Sequence, residues 1–94
     1  MKILVSDPIT DTGLSILEDS GINIVYLPNS DSISINKAIQ DADGMIIRSG
    51  TKVDLEMIKS SKKLQVIGRA GVGVDNINLQ AATRRGIVVM NTPD

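Results

Sequence analysis

The chain has no cysteine, no histidine, no tryptophan and no phenylalanine, and its one aromatic side chain is Tyr26. The missing cysteines exclude disulfides, thiolate nucleophiles and cysteine-based zinc sites, and they suit a reducing compartment, so a cytoplasmic location is expected. The missing histidines remove the side chain most often used as a general acid or base near neutral pH. Without large aromatics, any core must be built from Ile, Val, Leu, Met and Ala, which favours a sheet packed against helices. Apolar runs are only a few residues long, far short of a bilayer span, and the first residues lack the apolar stretch of a secretory signal. No membrane partner is expected.

Charge of one sign is also lacking. Ten Lys plus Arg stand against eleven Asp plus Glu, for a net charge of −1 over 94 residues. No global field would draw such a chain onto nucleic acid, so any anion site must be local. The length suits one small domain, and with 41% hydrophobic residues it can bury a modest core. No linker, repeat or low-complexity tract divides it, and residues 1–94 read as a single unit.

What is present is a regular alternation. Five short apolar, β-rich runs occur in order: Ile3-Leu4-Val5, Ile22 to Tyr26, Met45-Ile46-Ile47, Leu64 to Ile67, and Ile87 to Met90. Their nearly continuous apolar character fits strands buried on both faces of a parallel sheet, with helices on both sides. Four segments between them carry helical signals. Pro8 to Ser20 has Leu14 and Leu17 spaced for one face and Gly21 to close its end; Ser32 to Ala42 is the second. The third has Asp54 and Glu56 in its first turn and Lys59, Lys62 and Lys63 toward its end, the polarity a helix dipole prefers. The fourth runs from a cap at Asn78 to Arg85, with Gly86 as terminator. Strand and helix in alternation predict an α/β fold: a flavodoxin-like, doubly wound parallel five-stranded sheet of order 2-1-3-4-5.

In such a sheet the carboxyl ends of the strands share one edge, where open α/β sheets bind ligands. After the first strand, Asp7 suits either a ligand contact or, as the expected role, a cap on the helix that follows Pro8. After the third strand, Arg48-Ser49-Gly50-Thr51-Lys52 gathers a guanidinium, two hydroxyls and an ammonium, an inventory for carboxylate or phosphate. The plainer alternative is an ion pair for Arg48 and a helix cap from Ser49 or Thr51. After the fourth strand comes Gly68-Arg69-Ala70-Gly71-Val72-Gly73-Val74-Asp75-Asn76, whose glycines free the backbone to offer N–H groups to an anion, with Arg69 in the same turn. Because strands three and four are expected to be neighbours, Arg48 and Arg69 are expected to converge on one small acid; the alternative is a turn that merely redirects the chain. The same stretch mimics a degenerate G-x-A-x-x-G dinucleotide fingerprint, but Val74-Asp75-Asn76-Ile77 intervenes before the next helix, which argues against a pyrophosphate site.

Three segments together resemble the D-2-hydroxyacid dehydrogenase family, and within it the phosphoglycerate branch. They are Ile47-Arg48-Ser49 with Thr51-Lys52-Val53, Gly68 to Asn76, and Ala81-Ala82-Thr83-Arg84-Arg85-Gly86-Ile87-Val88-Val89-Met90-Asn91-Thr92-Pro93. The resemblance implies a flavodoxin-like lobe that closes a cleft against a separate Rossmann domain binding NAD, and an enzyme that oxidises 3-phosphoglycerate or a related 2-hydroxy acid in serine biosynthesis. It implies that Arg48, Ser49 and Arg69 hold the acidic substrate. Gly71, Val72 and Gly73 match the turn that approaches the substrate carboxylate and, at Val72, the nicotinamide side; Lys52 is a weaker match. The family's cofactor motif and its catalytic Arg, Glu and His lie beyond the matched segment. Residues 1–94 are therefore expected to hold no catalytic residue, to bind no metal and no NAD tightly, and to show no turnover alone. An uncovered apolar surface and self-association are expected for the isolated lobe.

Two other classes share this architecture. A receiver-type signalling domain needs a phosphorylatable Asp after strand three and acidic metal ligands after strand one, whereas Arg48 stands at the first place and Asp7 alone at the second. A standalone small-acid or nucleotide-binding module would use the same Arg48, Arg69 and glycine turn without a second domain.

Overall fold

Right-handed crossovers and short connections leave few ways to stack alternating strands and helices, and the computed structural model of the chain adopts the expected one. It describes residues 1–28, 31–70 and 75–92, with the side chains at 11, 12, 14, 17 and 92 left aside. The expected face of Leu14 and Leu17 and the turn Gly71, Val72 and Gly73 thus lie outside what is described. The elements are β1 (Lys2–Val5), α1 (Asp11–Asp19), β2 (Asn23–Tyr26), α2 (Ser32–Ile39), β3 (Gly44–Ile47), α3 (Leu55–Ser60), β4 (Val66–Ala70), α4 (Leu79–Arg84) and β5 (Val88–Thr92). The strands pair in parallel in the order β2-β1-β3-β4-β5.

Local chemistry sets most helix ends. Asp31 caps α2 by accepting from Ser34 N at 2.8 Å, Asp54 caps α3 from Met57 N at 2.9 Å, and Asn78 caps α4 from Ala81 N at 3.0 Å. Asp54 thus precedes α3 and does not belong to its first turn. Gly21 and Gly86 follow α1 and α4 with φ of 80° and 71°, a left-handed conformation that terminates a helix without Cβ strain. Arg85, just past the end of α4, reaches across to α3: its two terminal nitrogens donate to the carbonyls of Ile58 and Ser61, each at 3.0 Å.

Leu4, Met45, Ile47 and Ile67 pack beneath α2, α3 and α4 against Ile35, Ile39, Met57, Ile58, Ala81 and Ala82, all buried. After β1 the chain turns one way to β2 and later crosses back to β3, so right-handed connections place α1 on the opposite face from α2, α3 and α4. That opposite face stays open over β4 and β5, where Val88 is 58% and Met90 54% exposed. A shallow apolar cavity of about 270 Å³, lined in part by Ile46, Val66, Ala70 and Met90, marks it. Burial on both faces, expected for every strand, fails there because no described helix covers this side of β5. Gly44 in β3 is a close-approach position on the same face, since a Cβ there would lie 2.6 Å from Ile3 Cδ1 and 3.1 Å from Val66 Cγ1.

Candidate functional site

β1 and β3 lie side by side while the connections leaving them diverge, which creates a crevice at their carboxyl ends. A cavity of about 360 Å³ occupies it, lined by Ser6, Asp7 and Pro8 after β1 and by Arg48, Ser49, Gly50 and Thr51 after β3. Arg48 and Ser49 are exposed at its rim, whereas Ser6, Asp7 and Thr51 are buried.

Those buried groups make the cavity wall. Asp7 Oδ2 accepts from the backbone N–H of Arg48 at 2.7 Å and of Thr51 at 3.0 Å, and Asp7 Oδ1 accepts from the Thr51 hydroxyl at 2.8 Å. With its proton directed at Asp7, Thr51 Oγ1 serves as acceptor in its 2.9 Å bond with Ser6 Oγ. Asp7 is therefore not the cap of α1. That bond comes from Thr10, whose hydroxyl accepts from Gly13 N at 3.0 Å. The physical reason is spacing: α1 starts at Asp11, which leaves Asp7 too far ahead of it. Gly50 packs against the same carboxylate, with a Cβ position 2.7 Å from Asp7 Oδ1.

Arg69 takes a different place from the one expected. β4 continues through Ala70, held by register pairs from Gly44↔Val66 to Ile47↔Arg69 on one side and up to Ala70↔Thr92 on the other. Gly68 and Arg69 are thus strand residues, and Arg69, at 6% exposure, does not line the cavity beside Arg48. The two arginines are joined instead through Asn76. Its Oδ1 accepts from Arg69 Nε at 2.6 Å, while its Nδ2 donates to the carbonyls of Arg48 at 2.8 Å and Thr51 at 2.6 Å. Lys52 faces elsewhere, lining neighbouring hollows with Asp54.

The degenerate dinucleotide fingerprint does not fit this backbone. Gly68 and Ala70 lie within a paired strand, and α4 begins at Leu79 with its N-terminus already capped by Asn78. A pyrophosphate site needs a helix opening directly from the glycine turn. Among the described residues, no group of three or more carboxylates could hold a metal ion, and no helix is long and apolar enough to cross a membrane.

Residues 3–94 match the family model described as D-isomer specific 2-hydroxyacid dehydrogenase, catalytic domain. The chain belongs to that family. The D-3-phosphoglycerate dehydrogenase of Sus scrofa is 48% identical over 93 residues, and that of Methanocaldococcus jannaschii 47% identical over 94. These alignments cover 99% and 100% of this chain but only 17% and 18% of the two relatives, so the chain spans less than a fifth of their length. Among solved structures, the NAD+-bound 3-phosphoglycerate dehydrogenase of Entamoeba histolytica superposes with a TM-score of 0.88 at 40% identity, over 99% of this chain and 33% of that one. Sequence reasoning weighed Asp7 only as a ligand contact or a helix cap, and gave no separate role to Asn76 or Ser6. The signal for Asn76 was its position at the end of the glycine segment; for Asp7 nothing local pointed to its partners.

Proposed function

We propose that these residues form the substrate-facing lobe of an NAD-dependent 3-phosphoglycerate dehydrogenase, acting on 3-phosphoglycerate or a closely related 2-hydroxy acid. One observation carries the reading: in a chain of this family, a cavity rimmed by Arg48 and Ser49 sits at the switch point of the sheet, where a small acid would be bound. Arg48 supplies a guanidinium fork for carboxylate or phosphate, Ser49 a hydroxyl, and Arg69 a second cation at the neighbouring strand end. Gly71, Val72 and Gly73 would bring backbone N–H groups toward the carboxylate, with Val72 on the nicotinamide side. NAD, held by a separate domain of the parent enzyme, would take the hydride; these residues would bind and orient the acid.

The 94 residues alone are expected not to turn over, because they hold neither a histidine to manage the proton nor a dinucleotide turn. Two measurements test the reading. NMR titration with 3-phosphoglycerate should shift the amides of Gly71 to Val74, and Arg48→Ala should abolish the shifts. An assay with NADH and phosphohydroxypyruvate should show no oxidation of NADH by the pure chain. Shifts produced by NAD and not by the acid would overturn the assignment of the site, and clear turnover would overturn the division of labour.

A further inference from the structure

We infer that Asn76 is a positioning residue that fixes Arg48 and Arg69 relative to each other, and thereby gives the site its preference for an acid with two anionic groups over an acid with one. This rests on the reading of Arg48 and Arg69 as the substrate's cations.

The Asn76 side chain joins the ends of β3 and β4. Both N–H groups of its amide are committed, one to the carbonyl of Arg48 and one to that of Thr51, so the amide staples the loop 48–51 at its first and last residues. Its oxygen faces the Nε–H of Arg69, which orients the guanidinium plane. The orientation of the amide is therefore dictated by its partners: two acceptors on the nitrogen side, a cationic donor on the oxygen side. Being neutral, Asn76 aligns Arg69 without cancelling its charge, as an Asp would. A ligand bearing one anionic group can be held by one arginine wherever it sits. A ligand with a carboxylate and a phosphate at fixed separation needs both arginines held relative to each other, and Asn76 ties the backbone that carries Arg48 to the side chain of Arg69.

The residue can be altered without releasing its segment. Asn76 O accepts from Val53 N at 2.8 Å and Asn78 N donates to Val53 O at 2.8 Å, a short parallel bridge of Val53 with Ile77 that does not use the Asn76 side chain.

The test is a titration of the 94-residue chain with 3-phosphoglycerate and with glycerate, which lacks the phosphate, followed by heteronuclear NMR. Asn76→Ala and Asn76→Asp, with otherwise retained spectra, should each weaken 3-phosphoglycerate by about tenfold or more and glycerate by less than about threefold, the scale of one charge-assisted hydrogen bond. Asn76→Asp is the sharper variant, because it keeps shape and volume but turns an oxygen toward two carbonyls. An unchanged ratio of the two affinities in either folded variant would overturn the inference. If Arg48→Ala and Arg69→Ala also leave 3-phosphoglycerate binding intact, the reading of the site fails with it; if they weaken binding while the Asn76 variants do not, the positioning role alone fails. The unsubstituted chain provides a further check: the Arg69 Nε–H signal should exchange slowly with solvent, and rapid exchange would overturn the bond on which the inference stands.

Discussion

Asp7, at the end of the first strand, and Thr51, 44 residues later, are joined twice: the Asp7 carboxylate takes both the backbone N–H and the hydroxyl of Thr51. This pair, with the Arg48 N–H on the same carboxylate, ties the loop after β3 to the loop after β1 and so shapes the cavity between them. A buried acceptor serving three donors is costly to remove, since each donor then loses that bond.

Asp7→Ala is expected to lower stability by about 1–3 kcal/mol, the usual cost of leaving buried donors unsatisfied. Asp7→Asn should fall in between, because its oxygen can serve the two backbone N–H groups and the Thr51 hydroxyl can turn to accept from the amide. Urea unfolding of the three chains checks the order. Equal stability of Asp7→Ala and the parent would show that the carboxylate does not hold the loop.

Arg85 closes a second long-range link, capping the carbonyls at the end of α3 from beyond the end of α4. Arg85→Ala should cost about 1 kcal/mol. Arg85→Lys should recover less than half of that, because one ammonium cannot reproduce the two-pronged geometry. Denaturant midpoints at constant slope would show it.

What was legible in the sequence divides along the same line between local and long-range chemistry. The strand order, the cap at Asn78 and the helix-ending glycines Gly21 and Gly86 follow from short-range patterns, because periodicity and φ > 0 are written in neighbouring residues. Asp7 reads locally as a cap because an aspartate before a proline carries that signal, while its partners lie 41 to 44 residues away. Gly68 and Arg69 read locally as a turn because glycine is a breaker. The end of β4 is set instead by its pairing with β3 and β5, which no local pattern records. The Arg69–Asn76 bond was hidden for the same reason: the two lie seven residues apart, a spacing that no helical or strand periodicity pairs.

The cap of α2 is expected to be pH-dependent. The Ser34 backbone N–H, and then its side chain, stabilise the charged form of Asp31 and hold its pKa below the ordinary aspartate value of 3.8. A carboxyl whose folded pKa is depressed contributes stability above its unfolded pKa and loses it as pH falls through the folded one. The contribution should therefore be complete at neutral pH and disappear only below the ordinary aspartate range. A carbon-detected NMR titration should place the Asp31 midpoint under 3.8, with the Ser34 amide shift following it. Asp31→Asn keeps an acceptor oxygen and should remove this pH dependence; an unperturbed Asp31 midpoint would contradict the capping bond.

The two faces of the sheet should respond oppositely to substitution. Ile67 is fully buried under the helices, and Ile67→Ala removes three carbons from a core that can only partly collapse, so a loss of about 2–5 kcal/mol is expected. Val88 sits one strand away on the opposite, open face, where its side chain is already more exposed than buried. Val88→Thr keeps β-branching and shape while replacing a methyl with a hydroxyl that water can satisfy, and should change stability by less than about 0.5 kcal/mol. Thermal or urea unfolding of the two single variants compares them directly. A large loss from Val88→Thr would mean that this face of β5 is covered when the chain is in solution, and the exposure of Met90 beside it would have to be revised in the same direction.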